Sequence, residues 1–333
     1  MGHTKRKRPQ RGSRAVWPRK RAKRINAMVK NFAPIKDTKL LGFAGYKAGM
    51  TSVIIVDNRP KTPTKGEELK RAVTIIEAPS LKVGAIRVYA KTSYGKKVLS
   101  EVWAEGLSKD KDLSRTLILP KKRKATIESL KQRLSDISEV RVVVYTQPRT
   151  TGLGKKTPEV FELPIGGNVE SQFSYASEKL GKEINASDVF KAGEFVDMHG
   201  VTKGKGFQGD IKRFGVRLES NKAEFGRRHR STMGPTTPSK VGWWIPMPGQ
   251  MGFHKRTHYN SQILKIANIN DLQINPISGL SRYGKVKGDF ILIAGSAPGA
   301  KKRLVVLSHA IRPASKFTEA PEIVDVSLRS QQQ

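Results

Sequence analysis

The sequence contains no cysteine, and two long segments contain very few acidic residues. Without cysteine the chain can form neither disulfides nor thiolate metal sites, which fits a reducing compartment. No apolar run approaches the ~20 residues of a membrane span, and no hydrophobic segment follows the basic N-terminus, so we expect no secretory signal. With 37% hydrophobic residues among 333, the chain can still bury a real core.

The charge is concentrated in two segments. Residues 1–30 hold twelve Lys/Arg and no acid, and residues 203–256 hold twelve Lys/Arg against Asp210, Glu219 and Glu224. Together they account for +21 of the formal net charge of +35. Because such a density of like charge destabilises a compact state, it predicts a polyanionic partner, and the phosphate backbone of a nucleic acid is the usual one.

The hydrophobic pattern predicts a mainly β protein: a β-barrel with an α+β insertion rather than a doubly wound sheet. A basic stretch with a short helix over Lys20–Lys30 comes first, and glycines at turn-like spacing follow in Gly42–Thr51. The predicted strands are Val53–Val56, Ala72–Glu77, Val83–Ala90, Val98–Trp103, Val140–Tyr145, Glu194–Met198, Gln262–Ile266, Lys285–Ala294 and Leu304–His309. Helices are predicted from Thr126, with a stripe ending at Ile137, and from Asn168 to Leu180, with Gly181 as the stop.

These patterns divide the chain into three parts. Residues 1–39 are a basic N-terminal extension in which Trp17 and Phe32 are isolated rings. Residues 40–202 and 257–333 form the globular barrel body, with the insertion at about 105–185. Residues 203–256 form a long central loop. Because the extension and the loop lack apolar stripes and repel themselves, we expect both to be mobile until an anionic partner orders them.

The candidate RNA-binding residues lie in these two basic segments. Glycines interleaved with the cations let backbone amides approach phosphate, arginine makes bidentate phosphate contacts, and the loop's rings suit stacking on unpaired bases. Whether Trp243 and Trp244 stack on bases or pack at the base of the loop stays open. The candidates are Lys5, Arg6, Lys7, Arg8, Arg11, Arg14, Arg19, Lys20, Arg21, Lys23, Arg24, Lys203, Lys205, Lys212, Arg213, Arg227, Arg228, His229, Arg230, Lys240, Trp243, Trp244, His254, Lys255 and Arg256.

Competing functions fit the residues less well. GVTKGKG, GYKAGMT and GSAPGAKK (Gly295–Lys302) resemble nucleotide phosphate loops but lack the required spacing or hydroxyl. His254 and His258 have the spacing of a helical metal pair, but no Glu or Cys completes a site. A nuclease would need clustered acids, a DNA-binding regulator a compact recognition element, and an RNA-modifying enzyme a cofactor loop. We find none of these, so no cofactor, metal or catalytic residue is predicted.

Several motifs resemble the ribosomal protein L3 family of the large subunit. They are GHTKRKRPQRGSRAVWPRKRAKR near the N-terminus, GFAGYKAGMT at Gly42–Thr51, VWAE at Val102–Glu105, PGQMGFHKRT at Pro248–Thr257, and the pattern Asp197-x2-Gly200-x-Thr202-x-Gly204-Lys205-Gly206-x2-Gly209-x3-Arg213. The motifs occur in order along the whole chain. The long basic N-terminal segment resembles the archaeal and eukaryotic branch.

The resemblance implies a translation-factor-like barrel that binds large-subunit ribosomal RNA early in assembly and packs against neighbouring ribosomal proteins. It implies neither enzymatic activity nor a membrane or small-molecule partner. It also implies that the tip of the central loop approaches the peptidyl-transferase centre. Eukaryotic relatives often carry a tryptophan there, where this chain has Thr236. The tip residues are Pro235, Thr236, Thr237, Pro238 and Ser239.

Overall fold

The computed structural model of the chain describes residues 13–107, 110–118, 125–229, 233–234, 236–237, 239–315 and 317–329. The strands are β1 Gly42–Val56, β2 Glu68–Glu77, β3 Leu81–Thr92, β4 Gly95–Trp103, β5 Glu139–Thr146, β6 Val160–Pro164, β7 Glu183–Ile184, β8 Phe195–Val201, β9 Phe207–Gln208, β10 Gly249–Gln250, β11 Lys255–Asn268, β12 Asp289–Ala294, β13 Leu304–His309 and β14 Ile323–Val326. The α-helices are α1 Ile127–Lys131, α2 Val169–Lys179, α3 Ala186–Val189 and α4 Asp210–Phe214, and 3-10 turns occur at Arg14–Val16, Leu113–Arg115, Leu134–Asp136 and Pro148–Thr150.

The backbone contacts divide the chain into two compact units. The larger unit contains residues 25–200 and 256–333, and the smaller contains residues 201–255 with the described part of 1–24. The division predicted from the sequence, into an extension, a barrel body and a central loop, has different bounds and stays a prediction. Among the described residues, no helix is long and apolar enough to cross a bilayer.

The larger unit is built on a closed β-barrel. In its main sheet the strands follow the order β13-β8-β11-β12-β2-β1, and β13 also pairs antiparallel with β1, which closes the sheet. β14 extends the sheet beside the far half of β1. The predicted mainly β architecture is therefore confirmed. Closure removes the exposed edges that an open sheet of this size would present.

Two hydrophobic cores lie on opposite faces of the barrel sheet. Side chains alternate along each strand, so Val73 and Ile75 join one core while their neighbour Ile76 joins the other. The core that contains Ile76 extends to a second sheet, of order β4-β3-β5-β6 with β7 beside β3, and to α2. This second sheet and its helices form the α+β part of the fold.

β1 was not anticipated at its full length, because its glycines looked like turn residues. They are instead sites where neighbouring strands come close. A Cβ added to Gly42 would lie 2.8 Å from the Leu307 carbonyl oxygen, and one added to Gly45 would lie 2.7 Å from that of Glu77. Both distances are far below ordinary contact, so only glycine fits this strand at these two points.

Helix predictions were confirmed in one case and only partly in the other. α2 begins after Asn168 and ends before Gly181, whose φ of +78° is the usual helix-ending conformation. Thr126 caps the start of α1 as predicted, and the structure adds a capping box with Ser129. The helix stops after five residues, however, and a 3-10 turn follows. Leu130 and Ile137 of the predicted stripe are nevertheless both buried in the same core.

Three further sequence predictions were wrong. No helix forms over Lys20–Lys30, because the Ala22 amide donates to the Phe253 carbonyl (2.8 Å) instead of forming a helical ladder. β12 begins only at Asp289, since residues 280–284 form a tight turn closed by the Leu280 amide and the Gly284 carbonyl at 2.8 Å. Phe32 is not an isolated ring either, because it packs against the core that contains Ile76.

Candidate RNA interface

The smaller unit is organised by a short antiparallel ladder between the two ends of the central loop. β9 pairs with β10, and the Met251 amide donates to the Gly206 carbonyl at 2.9 Å. The ladder continues where the Phe253 amide donates to the Lys203 carbonyl at 3.2 Å. Gly252 allows this approach, since its φ is +68° and an added Cβ would lie 2.0 Å from the Lys203 oxygen. The base of the loop is therefore a defined β-ribbon.

Two arginines tie the N-terminal segment to this ribbon. Arg19 Nη1 donates to the Arg213 carbonyl at 2.9 Å, and Arg213 Nη2 donates back to the Arg19 carbonyl at 3.0 Å. Arg213 also donates through Nε to the Gln250 carbonyl (3.0 Å) and through Nη1 to the Met247 carbonyl (2.8 Å). Burial lowers the pKa of Arg213, but a guanidinium remains charged in proteins. Its donors are directed at backbone carbonyls, which makes Arg213 a strut of the loop base.

A cluster of rings packs beside this strut. Trp17 lies 4.9 Å from Phe214 and 6.1 Å from Trp243, between ring centroids, and Trp243 meets Trp244 edge to face at 5.9 Å. The Arg19 guanidinium sits 4.2 Å from the centre of the Phe214 ring. Trp17 was predicted to be isolated, and that prediction was wrong. Trp243 and Trp244 remain 65% and 48% exposed, so each pairs with a protein ring and keeps a surface available for a ligand.

His254 also connects the loop base to the N-terminal segment. Its Nδ1 lies 2.8 Å from the Lys20 carbonyl oxygen, and because a carbonyl only accepts, Nδ1 carries the proton. The side chain is buried. No group of three or more His, Cys, Asp or Glu side chains suited to a metal ion occurs within the described ranges.

Most of the other predicted cations project into solvent. Lys203, Lys205 and Lys212 are exposed around the ribbon and α4, whereas Asp210, the acid nearest to them in sequence, is buried. In the part of the chain that the structure describes, these three lysines form no ion pair. The exposed candidates in the smaller unit are Arg14, Lys20, Arg21, Lys23, Arg24, Lys203, Lys205, Lys212, Arg227, Arg228, His229, Lys240, Trp243, Trp244 and Lys255.

In the distal part of the loop, the described residues between α4 and β10 form no helix or strand. The Glu219 amide donates to the Arg227 carbonyl at 3.0 Å, and Phe225 packs on His229 at 5.2 Å between ring centroids. Arg227 and Arg228 are exposed beside them. The tip residues Thr236, Thr237 and Ser239 are exposed as well. This arrangement presents charge and hydroxyl groups with little protein behind them.

Some predicted residues are not part of this geometry. Arg256 belongs to β11 in the larger unit, where burial lowers its pKa. Lys5, Arg6, Lys7, Arg8, Arg11, Arg230, Pro235 and Pro238 lie outside the described residues.

One family model matches nearly the whole chain: that of ribosomal protein L3 matches residues 1–331. The chain belongs to the ribosomal protein L3 family. It is similar to the large ribosomal subunit protein uL3 of Methanothermobacter thermautotrophicus, with 48% identity over 331 residues, covering 97% of this chain and 98% of the relative. The uL3 of Archaeoglobus fulgidus is 47% identical, and that of Methanocaldococcus jannaschii 46%, each covering 98% of both chains.

Membership of the L3 family defines the class of protein. L3 is a structural, non-enzymatic protein of the large ribosomal subunit, and as a ribosomal component it is cytoplasmic. Ribosomal RNA and other ribosomal proteins are the partners that membership implies. The matched relatives are archaeal, in keeping with the branch that the basic N-terminal segment resembled.

Proposed function

We propose that this L3 protein binds large-subunit ribosomal RNA mainly through the cations of its smaller unit, and that this binding supports early subunit assembly. The observation that carries the proposal is the division of labour among its basic residues. Arg213 satisfies backbone carbonyls at the loop base, whereas Lys203, Lys205, Arg227 and Arg228 are exposed. A rigid base that displays unpaired cations is suited to a phosphate backbone.

Salt dependence tests this part of the proposal. If ten or more phosphates are neutralised, log K for protein-free large-subunit RNA should fall with log salt at a slope of about −7 or steeper. Changing Arg227, Arg228 and Lys240 to Gln should flatten the slope by about 2. The matched control changes Lys65, Lys91 and Lys97 to Gln, which removes the same charge from the larger unit. A wild-type slope shallower than about −3 would contradict the proposal.

We also propose that the tip of the loop lies near the peptidyl-transferase centre in the subunit. The exposed Thr236, Thr237 and Ser239 at the end of the cationic loop support this placement. Since the chain has no cysteine, Thr236→Cys creates a single attachment point for a chelated iron. Hydroxyl radicals generated there in assembled subunits should cut RNA at the peptidyl-transferase centre, whereas those from Lys191→Cys should not. Cleavage confined to other regions would refute the placement.

A further inference from the structure

A third basic surface lies in the larger unit, outside both segments considered so far. Two loops form it, residues 281–287 before β12 and residues 295–303 between β12 and β13. Between Leu272 and Thr318 the only acid is Asp289, whereas these two loops alone carry six Lys/Arg. Asp289 accepts a hydrogen bond from Asn268 at 2.7 Å.

The first loop has buried side chains that anchor it and exposed side chains that carry its charge. Tyr283 and Val286 are buried, whereas Arg282, Lys285 and Lys287 are exposed. The Tyr283 hydroxyl donates to the Glu77 carboxylate, and the Lys287 amide donates to the same carboxylate at 2.8 Å. Glu77 is 1% exposed. This acid therefore anchors the backbone of the loop and does not neutralise its surface.

The second loop is fixed at the same end of the barrel. The Lys302 amide donates to the Lys47 carbonyl at 2.8 Å, and Lys47 follows Tyr46, the cross-strand partner of Glu77. The Lys47 ammonium is buried and donates to the Ala297 carbonyl at 2.6 Å. Lys301 then links the loops, since its Nζ donates to the Ser281 carbonyl at 2.8 Å. The two loops thus form one surface.

Two of its cations occupy unusual backbone positions. Arg282 has φ +62° and Lys302 has φ +72°, a region that disfavours side chains with a Cβ. Glycine would adopt these conformations more readily. Cations at positions where backbone strain favours glycine point to a use for the charge, because strained residues cluster at functional sites.

The second loop contains GSAPGAKK, which resembles a nucleotide phosphate loop. In the structure it joins strand β12 to strand β13. No helix follows it, so the helix N-terminus that binds phosphate in nucleotide-binding loops is absent at this place. Its lysines are still suited to binding anionic groups, but those of an extended polyanion rather than the phosphates of a single nucleotide.

From this geometry we propose that Arg282, Lys285, Lys287 and Lys302 form a second RNA-binding surface, which holds the barrel body on ribosomal RNA phosphates independently of the central loop. The inference rests on the proposed RNA-binding function and extends it to the larger unit. In the part of the chain that the structure describes, none of these four side chains forms an ion pair. Four exposed cations without an acid among them suit a polyphosphate backbone.

The test measures salt-dependent binding of the full chain to protein-free large-subunit ribosomal RNA. Changing the four residues to Gln should flatten the log K against log salt slope by about 3, at 0.7 to 0.9 per lost phosphate contact. The control changes Lys65, Lys91, Lys97 and Lys191 to Gln, so the net charge falls equally, and it should leave the slope unchanged. Equal slopes for the two variants would overturn the inference.

A second variant guards against misfolding. Arg282→Gly with Lys302→Gly removes two charges at positions whose positive φ glycine adopts readily. Because the relief of this strain offsets the greater entropy that glycine gives the unfolded chain, the thermal midpoint should change little. Its slope should flatten by about 1.5. An unchanged slope in this well-folded variant would also overturn the inference.

Two outcomes separate this inference from the function on which it rests. In the first, wild-type binding is steeply salt-dependent and the Arg227, Arg228 and Lys240 variant loses part of that dependence, but the four-residue variant loses none. Only the inference about the second surface then fails. If the four-residue variant binds RNA normally but does not join subunits, the surface serves a protein neighbour and the RNA assignment is wrong.

Discussion

Arg213 is expected to stabilise the loop base rather than to contact RNA directly. Its guanidinium makes three hydrogen bonds, to the carbonyls of Arg19, Met247 and Gln250. A hydrogen bond from a charged donor contributes about 1.5–3 kcal/mol when it is well buried. Because Arg213 is only half-buried and water can replace part of what is lost, we expect Arg213→Gln to destabilise the loop base by about 2 kcal/mol in total.

Amide hydrogen exchange of the full chain measures this loss. The ladder amides of Lys205, Met251 and Phe253 should exchange roughly 30-fold faster in Arg213→Gln, since about 1.4 kcal/mol corresponds to a factor of ten. Arg213→Lys should fare little better, because one ammonium cannot reproduce the planar fork. Lys212→Gln, at the exposed neighbouring position, should change exchange by less than about threefold. Normal protection of the ladder in both Arg213 variants would refute the strut.

Three further changes probe the larger unit and the loop. Gly45→Ala should lower the free energy of unfolding by about 1–3 kcal/mol, because its Cβ would meet the Glu77 carbonyl. The control Gly288→Ala should be near neutral, since its Cβ would meet nothing within 4 Å. Equal denaturant midpoints for the two variants would contradict the reasoning. Burial lowers the pKa of His309 from 6.5 to about 4, although Glu194 lies 3.6 Å away. As the pH falls, the His309 imidazole is therefore protonated in the unfolded chain before it is protonated in the folded one, so up to about 3 kcal/mol of stability should be lost between pH 6.5 and 4. In pH-dependent denaturation, His309→Gln should lose less stability over that range. An identical pH dependence for wild type and variant would refute the role given to His309. Replacing residues 224–246 by a short Gly/Ser linker should keep cooperative unfolding, since loop length contributes little to closure entropy, but impair subunit assembly or peptide transfer; normal subunits would argue against the role of the loop.

The features that could be predicted from the sequence were those determined by residues close together along the chain. α2 was predicted well because its cap, its stripe and the glycine after it lie within fourteen residues. The excess positive charge of residues 203–256 was recognised because charge density is visible locally. The Trp17 cluster was missed because its partners Phe214 and Trp243 are about 200 positions away, and no local period reports such a contact. β1 was missed in part because glycine signals both a turn and a close strand approach.

The same separation in sequence explains why residue type alone could not assign roles to the arginines. Arg213 and Arg227 look alike in a basic, glycine-rich segment, yet Arg213 faces three carbonyls and Arg227 faces solvent. What distinguishes them is the N-terminal segment, whose Arg19 carbonyl completes the set around Arg213. A cationic loop needs such internal supports, because phosphate can order only the residues that reach it, while the loop base must hold its shape against its own charge. We therefore expect substitutions of the two arginines to have different effects. Loss of Arg227 should flatten the salt dependence of RNA binding without altering amide exchange at the ladder. Loss of Arg213 should first accelerate amide exchange at the ladder, before it alters the salt dependence of RNA binding.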